Sequence, residues 1–126
     1  MAALEKIEIG GVFIIEVSGI VPSRDVKAGV CICISGNKYL LINTKHRDMY
    51  DDFSIEGYGF LKGEKRYIAC SNSFTIPLGR IKQRVGTLDF KDMMSIIDKI
   101  KKSKRLSKAD KAVLLPELEN WYYDNI

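Results

Sequence analysis

The spacing of apolar residues changes once along this chain, near residue 88, and that change limits the folds open to it. Before it, apolar residues come in short β-branched runs bounded by turn residues. VFIIEVS (12–18), GVCICIS (29–35), YLLINT (39–44), RYIACSN (66–72) and the stretch Ile81 to Leu88 have the length and composition of strands. After it, Phe90, Met93, Ile96, Ile97 and Ile100 follow helical spacing. Asp89 is placed to cap this helix, with Asp92 three residues on, and both the cap and the helix dipole favour a start there. The helix is predicted to run to about Lys102. A second is predicted from Ser107, with Ala109, Val113 and Leu114 on one side and Pro116 either kinking it or opening a new segment. Strands first and helices after predict an α+β domain, a curled antiparallel sheet covered at one side or end.

The connections carry their own signals. Gly36-Asn37-Lys38 between two β-rich runs predicts a hairpin. Residues 45–65 are polar and glycine-punctuated, and predict a long connection with one short strand around Tyr58–Leu61. Pro77 interrupts ladder pairing, so the chain is predicted to turn before the last strand. The aromatic tail is predicted to pack back onto the body through Trp121 and Tyr122.

At 126 residues and 46% hydrophobic, the chain suits one domain, 1–126, with the sheet in 10–88 and the helices in 89–126. Glu5, Lys6 and Glu8 interrupt the apolar stretch that a signal peptide needs, and no apolar run approaches the ~20 residues of a membrane span. A cytoplasmic protein without membrane attachment is expected. Cys31 and Cys33 are two apart on one strand and Cys70 stands alone, which predicts buried free thiols. C-x-C with a single distant Cys and one His lacks the paired spacing of a zinc site, so no metal is expected. The net charge is +4, but residues 99–111 hold seven Lys and Arg against Asp110 alone. Such a block is either a phosphate-attracting surface or a solvated helix face.

With His46 the only histidine, mechanisms needing two imidazoles are excluded. There is no G-x-S-x-G elbow, P-loop or G-x-G-x-x-G, and no cofactor is expected. Two polar clusters remain: Ser23, Arg24, Asp25 and Lys27 before the second strand, and Asn43, Thr44, Lys45, His46 and Arg47 after the third. If those strands form a hairpin, both clusters meet at one edge. Cations there suit a phosphodiester, and metal-free RNA cleavage by the substrate's own 2′-OH would find an acid/base in His46. The alternative is a pair of ordinary charged surface loops.

The stretch RYIACSNSFTIPLGRIKQRVGTLDFKDMMSIIDKI resembles the C-terminal half of the MazF/PemK family of toxin ribonucleases. The points of similarity are Ile76 to Ile81, Gly86-Thr87-Leu88, and Asp92-Met93 followed by Ile96 or Ile97. GGVFIIEV resembles the family's opening strand, and VKAGVCICIS its second. The resemblance covers about residues 10–103. It implies an SH3-like antiparallel β-barrel, a homodimer, single-stranded RNA as substrate and an antitoxin protein as partner. The family's catalytic arginine falls on Lys27 and its threonine on Thr44. Its E-Q loop motif is absent, with Ser23-Arg24-Asp25 nearby. Lysine is not equivalent to arginine where a planar fork clamps phosphate.

The expected function is therefore metal-independent RNA cleavage by a toxin of a toxin–antitoxin pair. Lys27 and Arg24 would hold the phosphate, Thr44 would position it and His46 would carry the proton. Lys45, Arg47, Lys101, Lys102, Lys104 and Arg105 are the expected nucleic-acid contacts. The alternative is a catalytically silent relative, a nucleic-acid- or protein-binding module.

Overall fold

The computed structural model describes residues 6–126; residues 1–5, part of the stretch read for a leader, lie outside it. Six strands form one antiparallel sheet: β1 (Gly11–Glu16), β2 (Val26–Cys33), β3 (Lys38–Asn43), β4 (Phe53–Ile55), β5 (Arg66–Thr75) and β6 (Ile81–Thr87), in the order β4-β5-β3-β2-β1-β6. Helices α1 (Phe90–Lys102) and α2 (Lys108–Asn125) follow. The fold is thus α+β, with the predicted hairpin formed by β2 and β3. No helix among the described residues is long and apolar enough to cross a membrane.

The central strands are buried on both faces, which is why they read as unbroken apolar runs. Side chains alternate across a strand, and the alternation is visible along β3. Leu40 and Ile42 join Val30, Ile68, Met93, Ile96, Leu114 and Leu118 in the core beneath the helices. Tyr39 and Leu41 point the other way, joining Phe13, Ile15, Cys31, Ile76 and Ile81. Each fully buried aliphatic contributes about 1.5–3 kcal/mol through water exclusion. Cys31, Cys33 and Cys70 are buried free thiols, and burial pushes Cys31 and Cys70 up to about 12.

The helix starts are those the sequence predicts. The Asp89 side chain accepts from the Asp92 amide at 2.9 Å, and Ser107 forms a reciprocal box with Asp110. Pro116 neither ends nor splits α2. The helix continues because Leu114 and Leu118 are both seated in the core and Glu117 is clipped to the β2–β3 turn. The Glu117 carboxylate accepts from the Ile34 amide at 2.8 Å and from the Ser35 hydroxyl. Trp121 packs back as predicted, stacked on Phe90 with ring centroids 5.7 Å apart.

Two expectations are corrected. The short strand in the long connection is β4, not Tyr58–Leu61, where a 3-10 turn (Gly59–Leu61) forms instead. Gly57, Lys62 and Gly63 all have positive φ, which bends the segment too sharply for a strand. Nor is the sheet a closed barrel. Closure needs a ladder joining β4 to β6, and among the described residues these are the two open edges. Side chains bridge that side instead. The Tyr58 hydroxyl donates to Asp92 at 2.5 Å and accepts from the Asp89 amide at 3.0 Å, while the Phe60 ring lies against Gly86 so closely that a Cβ there would strike it.

One irregularity prepares the site. Leu40 pairs with Ser73 and Ile42 with Ile68, so four residues of β5 (69–72) stand opposite Leu41 alone. This irregularity leaves residues 69–72 outside the regular pairing of β5 with β3.

Candidate functional site: a cationic cleft beside the bulge

The register pairing Gly29 with Leu41, continued two residues outward, sets Lys27 of β2 opposite Asn43 of β3. The ammonium of Lys27 donates to the Asn43 side-chain carbonyl, fixing a half-buried cation at the sheet edge. Burial, and secondarily the charge of Arg24, lowers the Lys27 pKa below the ordinary lysine value.

Around this pair lies a cleft of about 340 Å³, lined by Arg24, Lys27, Asn43, Thr44, Lys45 and Arg47, with Tyr50 at one side. Four cations converge there, no carboxylate lines the cleft, and none of the four is in an ion pair among the described residues. Clustered like charges without counter-ions raise the electrostatic cost of the empty cleft. An anion spanning it would relieve that cost.

The loop carrying Lys45, Arg47 and Tyr50 is held from behind by two clamps. His46 sits between carboxylates, with Nδ1 2.5 Å from Asp52 and Nε2 2.7 Å from Asp48. Both partners are carboxylates, which accept, so the site favours the doubly protonated ring. Its pKa is raised by the hydrogen bonds to Asp48 and Asp52. Asp52 also accepts from the Arg47 amide at 2.9 Å. The second clamp comes from the turn between the helices. Asp51 accepts from the buried Ser103 hydroxyl at 2.6 Å and from Arg105 at 2.9 Å. In addition, the Ser71 hydroxyl in the bulge donates to the Met49 carbonyl at 2.9 Å, seating the loop on β5.

The structure therefore brings Arg24, Lys27, Thr44, Lys45 and Arg47 around one cleft and leaves the other expected site residues out of its lining. His46, expected to carry the proton, lies outside the cleft lining and between two aspartates. Lys101 pairs with Glu119 at 3.8 Å, Lys102 with Asp98 at 3.1 Å, and Arg105 with Asp51. Lys104 is exposed and also outside the cleft lining. Three of the seven cations of the basic block, Lys101, Lys102 and Arg105, thus have carboxylate partners among the described residues.

Sequence reasoning missed Tyr50, Asn72 and Phe74, which line a recess of about 80 Å³ opening beside Lys27 and Asn43. The signal available was the polar run Ser71-Asn72-Ser73 inside an otherwise apolar strand. No protein-family model matches the chain, and no curated protein matches it either.

Proposed function

We propose that this chain binds single-stranded RNA along the cationic cleft and cleaves it without a metal ion, by attack of a 2′-OH on the adjacent phosphate. The observation that carries this reading is the convergence of four cations with no counter-ion on a hydroxyl and an amide. Arg24, Lys45 and Arg47 neutralise the phosphate, and the charge that builds on its oxygens in the transition state strengthens those contacts. Lys27, whose pKa is lowered by burial, takes the 2′-OH proton in its neutral form. The new bond joins the 2′-oxygen to phosphorus, the bond to the 5′-oxygen breaks, and that oxygen leaves with a proton from water. The products carry a 2′,3′-cyclic phosphate and a 5′-hydroxyl. Thr44 positions the phosphate. The likeness of residues 66–100 to toxin ribonucleases supports metal-free RNA cleavage, though not the proton transfer by Lys27, where the family's residue is an arginine.

A second reading is binding without cleavage. It is favoured by the absence of an imidazole from the cleft, since His46 is taken up by Asp48 and Asp52. One experiment separates the two. Purified protein is incubated with a mixed-sequence RNA, with and without EDTA, and the ends are analysed. Cyclic-phosphate ends in both conditions, lost in Lys27→Ala, support the nuclease. Intact RNA with salt-sensitive binding supports the silent module, and neither cleavage nor binding ends both readings.

A further inference from the structure

We propose that the cleft between the end of α2 and the start of α1 docks a basic peptide segment, one Lys or Arg side chain of which lies against the stacked rings of Trp121 and Phe90. The inference does not depend on the RNA reading, because this cleft and the cationic one share no lining residue. It is the larger of the two, about 540 Å³, and is bounded by α2, the head of α1 and the residues that enter β1.

The chain segregates its charge around this cleft. Residues 99–111 carry seven cations, whereas residues 112–126 carry Glu117, Glu119 and Asp124 and no cation. Glu8, Glu117 and Asp124 line the cleft, and no Lys or Arg does. Glu8 is paired with Arg84. Glu117 is held by the Ile34 amide and the Ser35 hydroxyl, and neither it nor Asp124 has a cationic partner among the described residues. Asp124 is also badly placed for its own helix. It stands in the last turn of α2, which has no basic residue, and adds to the negative end of the dipole. A cation in the cleft would offset both charges. The aromatic wall favours the same occupant. Trp121 and Phe90 stack with centroids 5.7 Å apart and Phe90 is 43% exposed, which leaves ring surface for a cation on an apolar stem. Asn120 favours a peptide over a free polyamine. Its amide offers a donor and an acceptor, which a peptide bond meets in full and a polyamine, having no acceptor, does not.

Trp121 is the only tryptophan of the chain, so its emission reports on this cleft. The full chain is titrated with capped hexapeptides that alternate glycine with arginine, with lysine or with citrulline, the neutral analogue of arginine, and with spermidine. A saturable emission change is expected with the arginine or the lysine peptide, at an affinity about tenfold or more above that of the citrulline peptide. The tighter of the two identifies the cation. Asp124→Asn, at an exposed position, is expected to weaken the charged peptide about threefold, the scale of one exposed charge pair, and to leave the citrulline peptide unchanged. Asn120→Arg, also exposed, plants a cation at the cleft and is expected to abolish binding. A circular-dichroism melt verifies that each variant is folded. No saturable change, equal binding of the citrulline peptide, or unchanged binding in Asp124→Asn overturns the proposal. Spermidine binding as tightly as the peptides overturns it too. So does an emission change that follows protein concentration without any peptide, which assigns the cleft to a second copy of the chain. Each of these outcomes leaves the RNA reading where it stands.

Discussion

Ser103 and Asp51 lie 52 residues apart in the chain and meet in a 2.6 Å hydrogen bond that ties the turn between the helices to the loop lining the cleft. The Ser103 hydroxyl also accepts from the Arg105 and Leu106 amides at 3.2 and 3.3 Å. Ser103→Ala leaves three partners unmet, at least one of them buried. It is expected to lower stability by about 1–3 kcal/mol, read from the shift in urea midpoint at constant slope. RNA affinity should fall in the same variant, because Tyr50 and Arg47 lose their backing.

The imidazolium of His46 makes the loop sensitive to pH. Its pKa in the folded chain is raised above the ordinary ~6.5, so the stabilisation is fully present below that ordinary value. It is lost as pH rises through the elevated folded value. Limited proteolysis of the loop should accelerate as pH rises above about 6.5 in the native protein. In His46→Gln, the rate should already be high at low pH and lose most of that dependence.

Lys27 predicts the opposite trend in catalysis. Its lowered pKa increases the neutral fraction at a given pH, and cleavage should rise with pH until that lowered value is passed. Lys27→Arg keeps the charge and cannot deprotonate in this range. It should therefore bind RNA with near-native affinity while kcat falls by about 100-fold or more. Equal kcat in Lys27→Arg and the native chain would refute the proton-transfer role.

Gly86 tests the bridge across the open side of the sheet. A methyl group there strikes the Phe60 ring, so Gly86→Ala should cost about 1–3 kcal/mol in chemical denaturation. Adding Phe60→Leu should recover part of that loss, a coupling visible in a double-mutant cycle.

The residues differ in how readily their places could be read from sequence, and the reasons are physical. Asp89 and Ser107 cap as expected because capping depends on a few adjacent residues. The meeting of Lys27 with Asn43 and Thr44 was legible because a hairpin fixes which residues face each other once its turn is known. The bulge was not legible. Nothing local in Ala69-Cys70-Ser71-Asn72 says that four residues will face one, since that depends on the pairing achieved on both sides. The surroundings of His46 were not legible for a related reason. An imidazole two residues from one aspartate and six from another looks like an available base until the turn at Asp48–Tyr50 folds both carboxylates onto it.

The irregular stretch of β5 also bears on how such a chain can change over generations. In a regular ladder, gaining or losing one residue inverts every side chain beyond it. Here the regular pairing stops at Ser73 and resumes at Ile68, so a residue gained or lost at exposed Asn72 would change the size of the irregular stretch before it changed the register on either side. The dimensions of this concavity can therefore drift by single codons while the cations next to it stay where they are.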